Sequence, residues 1–297
     1  MTLIYSKYPD ASISGMRVAR FDYHVHESYS SDARSSTVER YINVAEEKGI
    51  EEIAFTTHQI IAGPDWDFGI QPDEISDYVE NIHRLRETTE VKLLIGLEMD
   101  YFPSAERTLE AIIDEYPFDF ILGSTHYIGE YDVGSRKDAP GFFGGRSLNE
   151  ATSEYFGLWR RAIESGLFDV MAHPDYWRRF LHTIRNEPAV FSEYGLVHEA
   201  IDSLISYDVG IEINTSGRRH EHSIQYPIRA FLEAVHRAGL KKITLGSDSH
   251  LPSHLGFWLP EAVDLLQDVG FKYISSYENR KNTANPIDSV VRRVKNR

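Results

Sequence analysis

Short apolar runs alternate with longer amphipathic segments along most of the chain. Each run is rich in β-branched and aromatic residues and ends in polar ones, as is typical of a buried strand. The predicted strands are Phe21–His26, Glu52–Thr56, Lys92–Glu98, Phe120–Ser124, Asp169–His173, Gly210–Asn214 and Ile243–Ser247, with a weaker one at Phe271–Ser275. The predicted helices are Thr37–Lys48, Pro72–Glu87, Ser104–Glu115, Asn149–Ser165, Val190–Ser206, Tyr226–Arg237 and Pro260–Asp268.

Regular alternation of strands and helices predicts an α/β fold with a parallel sheet. Several helices end at a glycine that stops them, as at Gly49, Gly166 and Gly239. Seven or eight such units at this chain length favour closure into a barrel of the TIM type, with a doubly wound open sheet as the alternative. The segments 65–71 and 128–146 are predicted to be long loops, the second of which carries a GFFGG run expected to form a mobile lid.

Length and composition indicate one globular domain. The 297 residues, 41% of them apolar, suit a single barrel over 1–297, with residues 1–20 as an N-terminal extension over the barrel or against a neighbour in a homo-oligomer. Without cysteine, disulfides and thiolate metal sites are excluded. We see no membrane span or signal peptide, which predicts a cytoplasmic protein. The net charge of −15 disfavours nucleic acid and anionic membranes, and favours a small substrate.

Potential metal ligands follow nearly every predicted strand at the end where a parallel barrel carries its functional residues. These nine side chains are His24, His26, Asp32, His58, Glu98, His126, His173, Asp248 and His250. A lone histidine at a strand end is more often structural than a ligand. Structural need does not explain polar groups at the same end of six strands, so the joint pattern predicts a multinuclear metal site. Nitrogen and oxygen ligands without thiolates suit zinc, manganese or iron.

Seven ordered motifs carry a family resemblance. They are HVHESYSSD, TTH, GLEMDY, GSTHYI, AHPD, EINTSG and GSDSH, within roughly residues 20–290. In these motifs the chain resembles the polymerase and histidinol phosphatase (PHP) superfamily, and within it the histidinol-phosphatase branch. The resemblance implies a distorted (β/α)7 TIM-like barrel that hydrolyses L-histidinol phosphate to histidinol and phosphate, a step of histidine biosynthesis.

The resemblance also implies two or three divalent ions that share Glu98. The implied sites are His24, His26, Glu98 and Asp248; Asp32, His58 and His250; and Glu98, His126 and His173. The catalytic set is expected to be His24, His26, Glu98, His173 and Asp248. Many members have histidine where this chain has Asp32, a departure expected to alter the affinity or metal preference of one site. Many also have a carboxylate where this chain has Thr57, which is expected to affect only the residues around the ligands.

Phosphate chemistry fits such a site. Three divalent ions and three carboxylates leave about three uncompensated positive charges, enough to attract a phosphate dianion and lower the pKa of an attacking water. Two arginine pairs follow predicted strands: Arg178 and Arg179 come after strand five, and Arg218 and Arg219 come after strand six. The resemblance favours Arg178 and Arg218 as phosphate-binding residues. The residues that recognise the imidazole and ammonium groups stay open among Asp65, Asp67, Glu130 and Asp132, and the proton donor to the leaving alkoxide stays unassigned.

Three other functions compete. Another PHP phosphoesterase, including a nuclease acting on DNA ends, is disfavoured by the acidic charge. An amidohydrolase commonly needs a metal-bridging lysine after strand four, where this chain has GSTH. A non-catalytic metal-binding protein gains no support from an intact ligand set. The second histidine pair, His220 and His222, lies in a polar run and is expected to contact substrate at most.

Overall fold

A seven-stranded parallel sheet forms the centre of the molecule. The structure, a computed structural model, describes residues 16–63, 65–186, 188–220 and 223–294. The strands in these residues are β1 (Arg17–Ala19), β2 (Phe21–Val25), β3 (Glu52–Gln59), β4 (Lys92–Asp100), β5 (Phe120–Ser124), β6 (Tyr127–Ile128), β7 (Tyr131–Asp132), β8 (Val170–Met171), β9 (Gly210–Asn214), β10 (Ile243–Gly246), β11 (Tyr273–Glu278), β12 (Lys281–Pro286) and β13 (Val291–Arg293). The order in the sheet is β10-β9-β8-β5-β4-β3-β2.

The sheet curls until its first and last strands nearly meet. Residues just past β10 bond to β2, because Ser249 N–H donates to His24 O at 3.1 Å and His26 N–H donates to Ser249 O at 2.8 Å. The buried Asp22 carboxylate accepts from Ser247 N at 2.9 Å and from Gly256 N at 2.8 Å. These bonds hold the seam, so the α/β fold and the seven-stranded, barrel-like sheet are confirmed. The open doubly wound alternative is excluded.

Helices cover the outside of the sheet. They are α1 (Val38–Lys48), α2 (Ile75–Arg86), α3 (Glu106–Glu115), α4 (Ala139–Phe143), α5 (Leu148–Glu164), α6 (Leu181–Arg185), α7 (Val197–Ser206), α8 (Arg229–Ala238) and α9 (Leu259–Val269). Their apolar faces join the strand side chains in one buried core. The predicted helix at 190–206 starts too early, since a short 3-10 turn at Phe191–Glu193 precedes α7.

Two predicted features differ from the structure. The weak strand predicted at 271–275 is present as β11, but it pairs antiparallel with β12 in a separate hairpin instead of joining the barrel. Segment 128–146 is not a structureless loop, because it contains the β6–β7 hairpin and α4. Phe142 and Phe143 of the GFFGG run are buried in the core at 0% and 3% exposure. Burial of both phenylalanines fixes this segment and argues against a mobile lid.

Little of the N-terminal extension is within the described residues. Its last part forms β1, which pairs antiparallel with β13 and so joins the two ends of the described chain. The prediction of an arm falls on residues 1–15, which lie outside the described residues. Among the helices that the structure describes, none combines the length and apolar character needed to cross a membrane.

Candidate metal centre

The nine predicted ligand residues lie together at the C-terminal end of the barrel. Seven lie at or just past the ends of β2, β3, β4, β5, β8 and β10, in the order that the alternation predicts. Asp32 and His250 come from the longer loops after β2 and β10 and contact each other, with Asp32 Oδ2 2.9 Å from His250 Nε2. Convergence arises because parallel strands all end at the same rim.

Glu98 occupies the middle of this cluster. Its Oε2 lies 3.2 Å from His24 Nε2 and 3.0 Å from His58 Nδ1. Its other oxygen, Oε1, lies 2.8 Å from His173 Nε2 and 3.6 Å from His126 Nε2. The two carboxylate oxygens therefore face different groups of histidines, which is the arrangement of a carboxylate that bridges ions.

The HxH pair of β2 lies beside Asp248. His24 Nε2 and His26 Nε2 are 3.0 Å apart. Asp248 Oδ1 is 3.5 Å from His26 Nε2 and 3.8 Å from His24 Nε2. Both imidazoles thus face the same point, as expected for residues two apart on an extended strand.

A second group forms where the loops meet β3. Ligand nitrogens of His26, His58 and His250 all lie within 4.8 Å of one another. The His26 and His250 rings stack with centroids 4.1 Å apart, and the His58 ring lies 4.1 Å from His26 and 5.7 Å from His250. His26 therefore stands between two of the ion sites that the family resemblance implies, rather than in the first alone.

The spacing of these atoms fits divalent metal ions. Ligand atoms around a tetrahedral zinc ion, each at about 2.1 Å, lie roughly 3.4 Å from one another. The separations of these neighbouring ligand atoms are 2.8–3.8 Å. His58 Nδ1 and His250 Nε2 are buried without a hydrogen bond among the described residues, although each lies about 3 Å from a carboxylate oxygen. Buried ring nitrogens that lack a hydrogen bond and lie close to carboxylate oxygens fit metal coordination.

Burial and neighbouring charges shift the pKa values of three side chains of the cluster. Burial by itself would raise the pKa of Glu98, but the imidazoles of His24 and His58 hold that pKa well below its usual range. Burial likewise opposes the charged form of Asp248, yet His24 keeps its pKa well below the ordinary value. Burial and the neighbouring imidazoles lower the pKa of His26 well below its ordinary value. The charged form of both carboxylates and the neutral form of His26 are therefore favoured.

Two carboxylates that the sequence analysis missed orient the histidines. The fully buried Glu212 on β9 lies 2.8 Å from His24 Nδ1 and accepts a 3.0 Å bond from His173 N–H. Asp100 lies 2.9 Å from His126 Nδ1. Each contact turns the opposite ring nitrogen toward the cluster. The sequence feature that could have identified Glu212 is its position between two isoleucines in a predicted buried strand, where a carboxylate is unusual.

The backbone is left-handed at two of the nine residues. The φ angles of His173 and Asp248 are 27° and 53°. Residues other than glycine that adopt such angles cost about 1–3 kcal/mol each and persist where the surrounding structure demands them. Here the left-handed backbone turns both side chains toward the cluster just past the ends of β8 and β10.

A cavity of about 520 Å³ opens above the cluster. Tyr176 and Arg179 line it from one 3-10 turn, and Ser216 and Arg219 line it from another. The members of each pair are three residues apart, so a 3-10 turn puts them on the same side. Arg219 is fixed next to the cluster because its guanidinium donates to Ser247 O at 2.6 Å and Asp248 O at 2.7 Å.

Arg178 and Arg218, which the sequence analysis selected, point elsewhere. Arg178 forms an ion pair with the buried Asp175 at 2.9 Å and stacks over the Tyr226 ring. Arg218 stacks over Trp258 at 3.9 Å from the ring centroid. Neither lines the cavity above the cluster. Arg179 and Arg219 are the members of the two pairs that line the cavity, because consecutive residues of a tight turn face different directions.

Other polar residues reach the same cavity. The cavity is also lined by His254 and by His220, which the sequence analysis expected to contact substrate at most. His220 Nε2 lies 3.4 Å from Arg179 Nη2. His222, the partner of His220 in the second histidine pair, lies outside the described residues. Tyr176, which the sequence analysis did not single out, packs its ring on His173 with centroids 4.5 Å apart.

The chain is similar to known proteins that contain a PHP domain. The PHP domain model matches residues 22–216. A probable histidinol-phosphatase of Deinococcus radiodurans is 28% identical over 88% of this chain and 97% of its own length. The histidinol-phosphatase of Lactococcus lactis is 27% identical over 88% of this chain and 96% of its own length.

A solved structure resembles the whole barrel. It is the histidinol phosphate phosphatase of Lactococcus lactis in complex with zinc, L-histidinol and phosphate. The TM-score is 0.72 at 25% identity, and the alignment covers 89% of this chain and 99% of the other.

Proposed function

Because the chain belongs to the PHP domain family, we propose that it is a metal-dependent phosphomonoesterase and that its substrate is L-histidinol phosphate. The observation that carries this proposal is the bridging position of Glu98, whose two oxygens face separate histidine groups beneath an arginine-lined cavity. The relatives named histidinol-phosphatase cover nearly the whole chain and support the choice of substrate.

The ligand clusters supply donors for two or three divalent ions. His24, His26 and Asp248 would hold one, with His250, His58 and Asp32 beside it, and His126 and His173 would hold another on the far oxygen of Glu98. When bound, such ions lower the pKa of water and stabilise negative charge on the attacking and leaving oxygens. Zinc is supported by the Lactococcus lactis complex, and the donor set also suits manganese and iron.

The chain's own contribution is to orient and neutralise the phosphate. Arg179 and Arg219 present guanidinium groups that bind phosphate oxygens, and the hydrogen bonds of Arg219 to the backbone at Asp248 keep it next to the ligand cluster. Glu212 and Asp100 keep His24 and His126 turned toward the ligand cluster. The negative charge of the whole molecule is thereby offset at the one place where a phosphate must bind.

The test is a panel of phosphate monoesters hydrolysed by protein loaded with zinc, manganese or iron. We expect the highest kcat/KM for L-histidinol phosphate and loss of activity on chelation. If histidinol phosphate is no better than simple sugar phosphates, the substrate proposal fails while the phosphatase class stands. Metal-loaded protein that hydrolyses no monoester would overturn both.

A further inference from the structure

The wall of the cavity contains one carboxylate that the metal cluster does not use. Four carboxylates line the cavity among the described residues: Asp32, Glu98, Asp132 and Asp248. Three of them contact the clustered histidines, whereas Asp132 forms no ion pair with any residue that the structure describes. Gly134 N–H donates to its Oδ1 at 2.7 Å, which leaves Oδ2 for a ligand.

The hairpin that carries Asp132 is fixed to the metal centre. Val133 N–H donates to His126 O at 2.9 Å. A side chain at Gly134 would collide with the ring of Tyr176, which itself packs on His173. Both contacts set the distance between Asp132 and the ligand cluster, so this carboxylate is in a defined position.

A second acidic residue, Asp65, is joined to the same hairpin through Tyr127. Asp132 is directly opposite Tyr127 in the β6–β7 ladder, so the two side chains lie on the same face of the hairpin. The Tyr127 hydroxyl, which also lines the cavity, donates to Asp65 Oδ2 at 2.9 Å. Burial raises the pKa of Asp132 above its ordinary value, which a bound cation would reverse.

The other acidic residues considered for this role lie elsewhere. Asp67 lines a separate cavity with Trp66 and Arg34. Glu130 is exposed at the turn between β6 and β7. Asp65 reaches the site only through Tyr127.

On the premise of the proposed function, we propose that Asp132, backed by Tyr127 and Asp65, binds a cationic nitrogen of the leaving group and so sets substrate specificity. Asp132 comes from the loop after β5, whereas Arg179 and Arg219 come from the loops after β8 and β9. One substrate can therefore place its phosphate by the arginines and its cation by Asp132. Both the ammonium and the imidazolium of histidinol have the required chemistry.

Three esters separate charge from shape in the test. L-Histidinol phosphate carries both the ammonium and the imidazole, L-phenylalaninol phosphate keeps only the ammonium, and 3-phenylpropyl phosphate carries neither group. In Asp132→Asn we expect the ratio of kcat/KM for histidinol phosphate to that for 3-phenylpropyl phosphate to fall roughly tenfold or more. A parallel fall for phenylalaninol phosphate identifies the ammonium as the bound group, and an unchanged value identifies the imidazole. Asparagine keeps the acceptor oxygen for Gly134 N–H.

Glu130→Gln is the matched control, since it removes one negative charge from the same hairpin at an exposed position. We expect its ratio to stay within about twofold of the wild-type value. Equal losses on all three esters in Asp132→Asn, or no loss on any, would overturn the inference.

Calorimetric titration of L-histidinol separates this inference from the proposed function. Weaker binding to metal-loaded Asp132→Asn than to the wild type supports the subsite even if no ester is hydrolysed. Equal affinity for the two proteins, or no binding by either, contradicts it.

Discussion

At the residue scale, function depends on which of two adjacent side chains faces the cavity. Arg179 and Arg219 line it, and their neighbours Arg178 and Arg218 stack on aromatic rings outside it. The sequence places each pair after the right strand but cannot choose within the pair. The choice is made by the 3-10 turns, which align residues three apart and turn neighbours away from each other.

Arg179→Ala should therefore lower kcat/KM for phosphate esters by roughly 10- to 150-fold, the equivalent of about 1.5–3 kcal/mol for a hydrogen bond to a charged group. Arg218→Ala should change it by less than about threefold, because only the stacking on Trp258 and bonds within the loop are lost. Steady-state kinetics on both variants check this. A larger loss in Arg218→Ala than in Arg179→Ala would restore the choice made from the sequence.

At the element scale, three neighbouring strands hold the first histidine. Glu212 on β9 bonds to His24 on β2 across β10, and Gly246 is the residue of β10 that lies between them. A Cβ at Gly246 would collide with Glu212 Oε1 and approach His24 Cβ. The missing side chain at this position makes room for the contact that orients His24.

Gly246→Ala should destabilise the fold by about 1–3 kcal/mol through overpacking, and should also reduce the metal content by displacing His24. Denaturant unfolding and elemental analysis of the purified variant measure the two effects. Gly157→Ala in α5 is the control, since its nearest neighbour would be Leu196 Cδ1 at 3.6 Å, and it should be neutral or stabilising by about 1 kcal/mol. Wild-type stability and full metal content in Gly246→Ala would show that Glu212 and His24 tolerate the methyl group.

At the scale of the whole molecule, the metal centre links the strands of the barrel. The nine side chains come from six of the seven barrel strands and the loops that follow them, on both sides of the seam between β10 and β2. An ion held by His24, His26 and Asp248 would span that seam. Metal binding should therefore add to global stability as well as to catalysis.

Removing the metal should lower the melting temperature by about 4 °C or more, since a ligand at 100 times its Kd adds about 2.7 kcal/mol to the free energy of unfolding. Differential scanning calorimetry before and after chelation, and again after adding back zinc or manganese, measures this shift. Chelation that leaves the melting temperature unchanged would contradict a role for tightly bound ions in joining the strands.

The sequence by itself determined the barrel, the order of its strands and the histidines and carboxylates that meet at its rim. It could do so because strand periodicity is local, and parallel strands bring their C-terminal ends together whatever the details. The tertiary structure decided which arginines face the cavity, that Glu212 supports His24 across 188 positions of sequence, and that Asp132 faces the site. These features depend on turn geometry and on contacts between distant segments, which no local pattern of residues encodes.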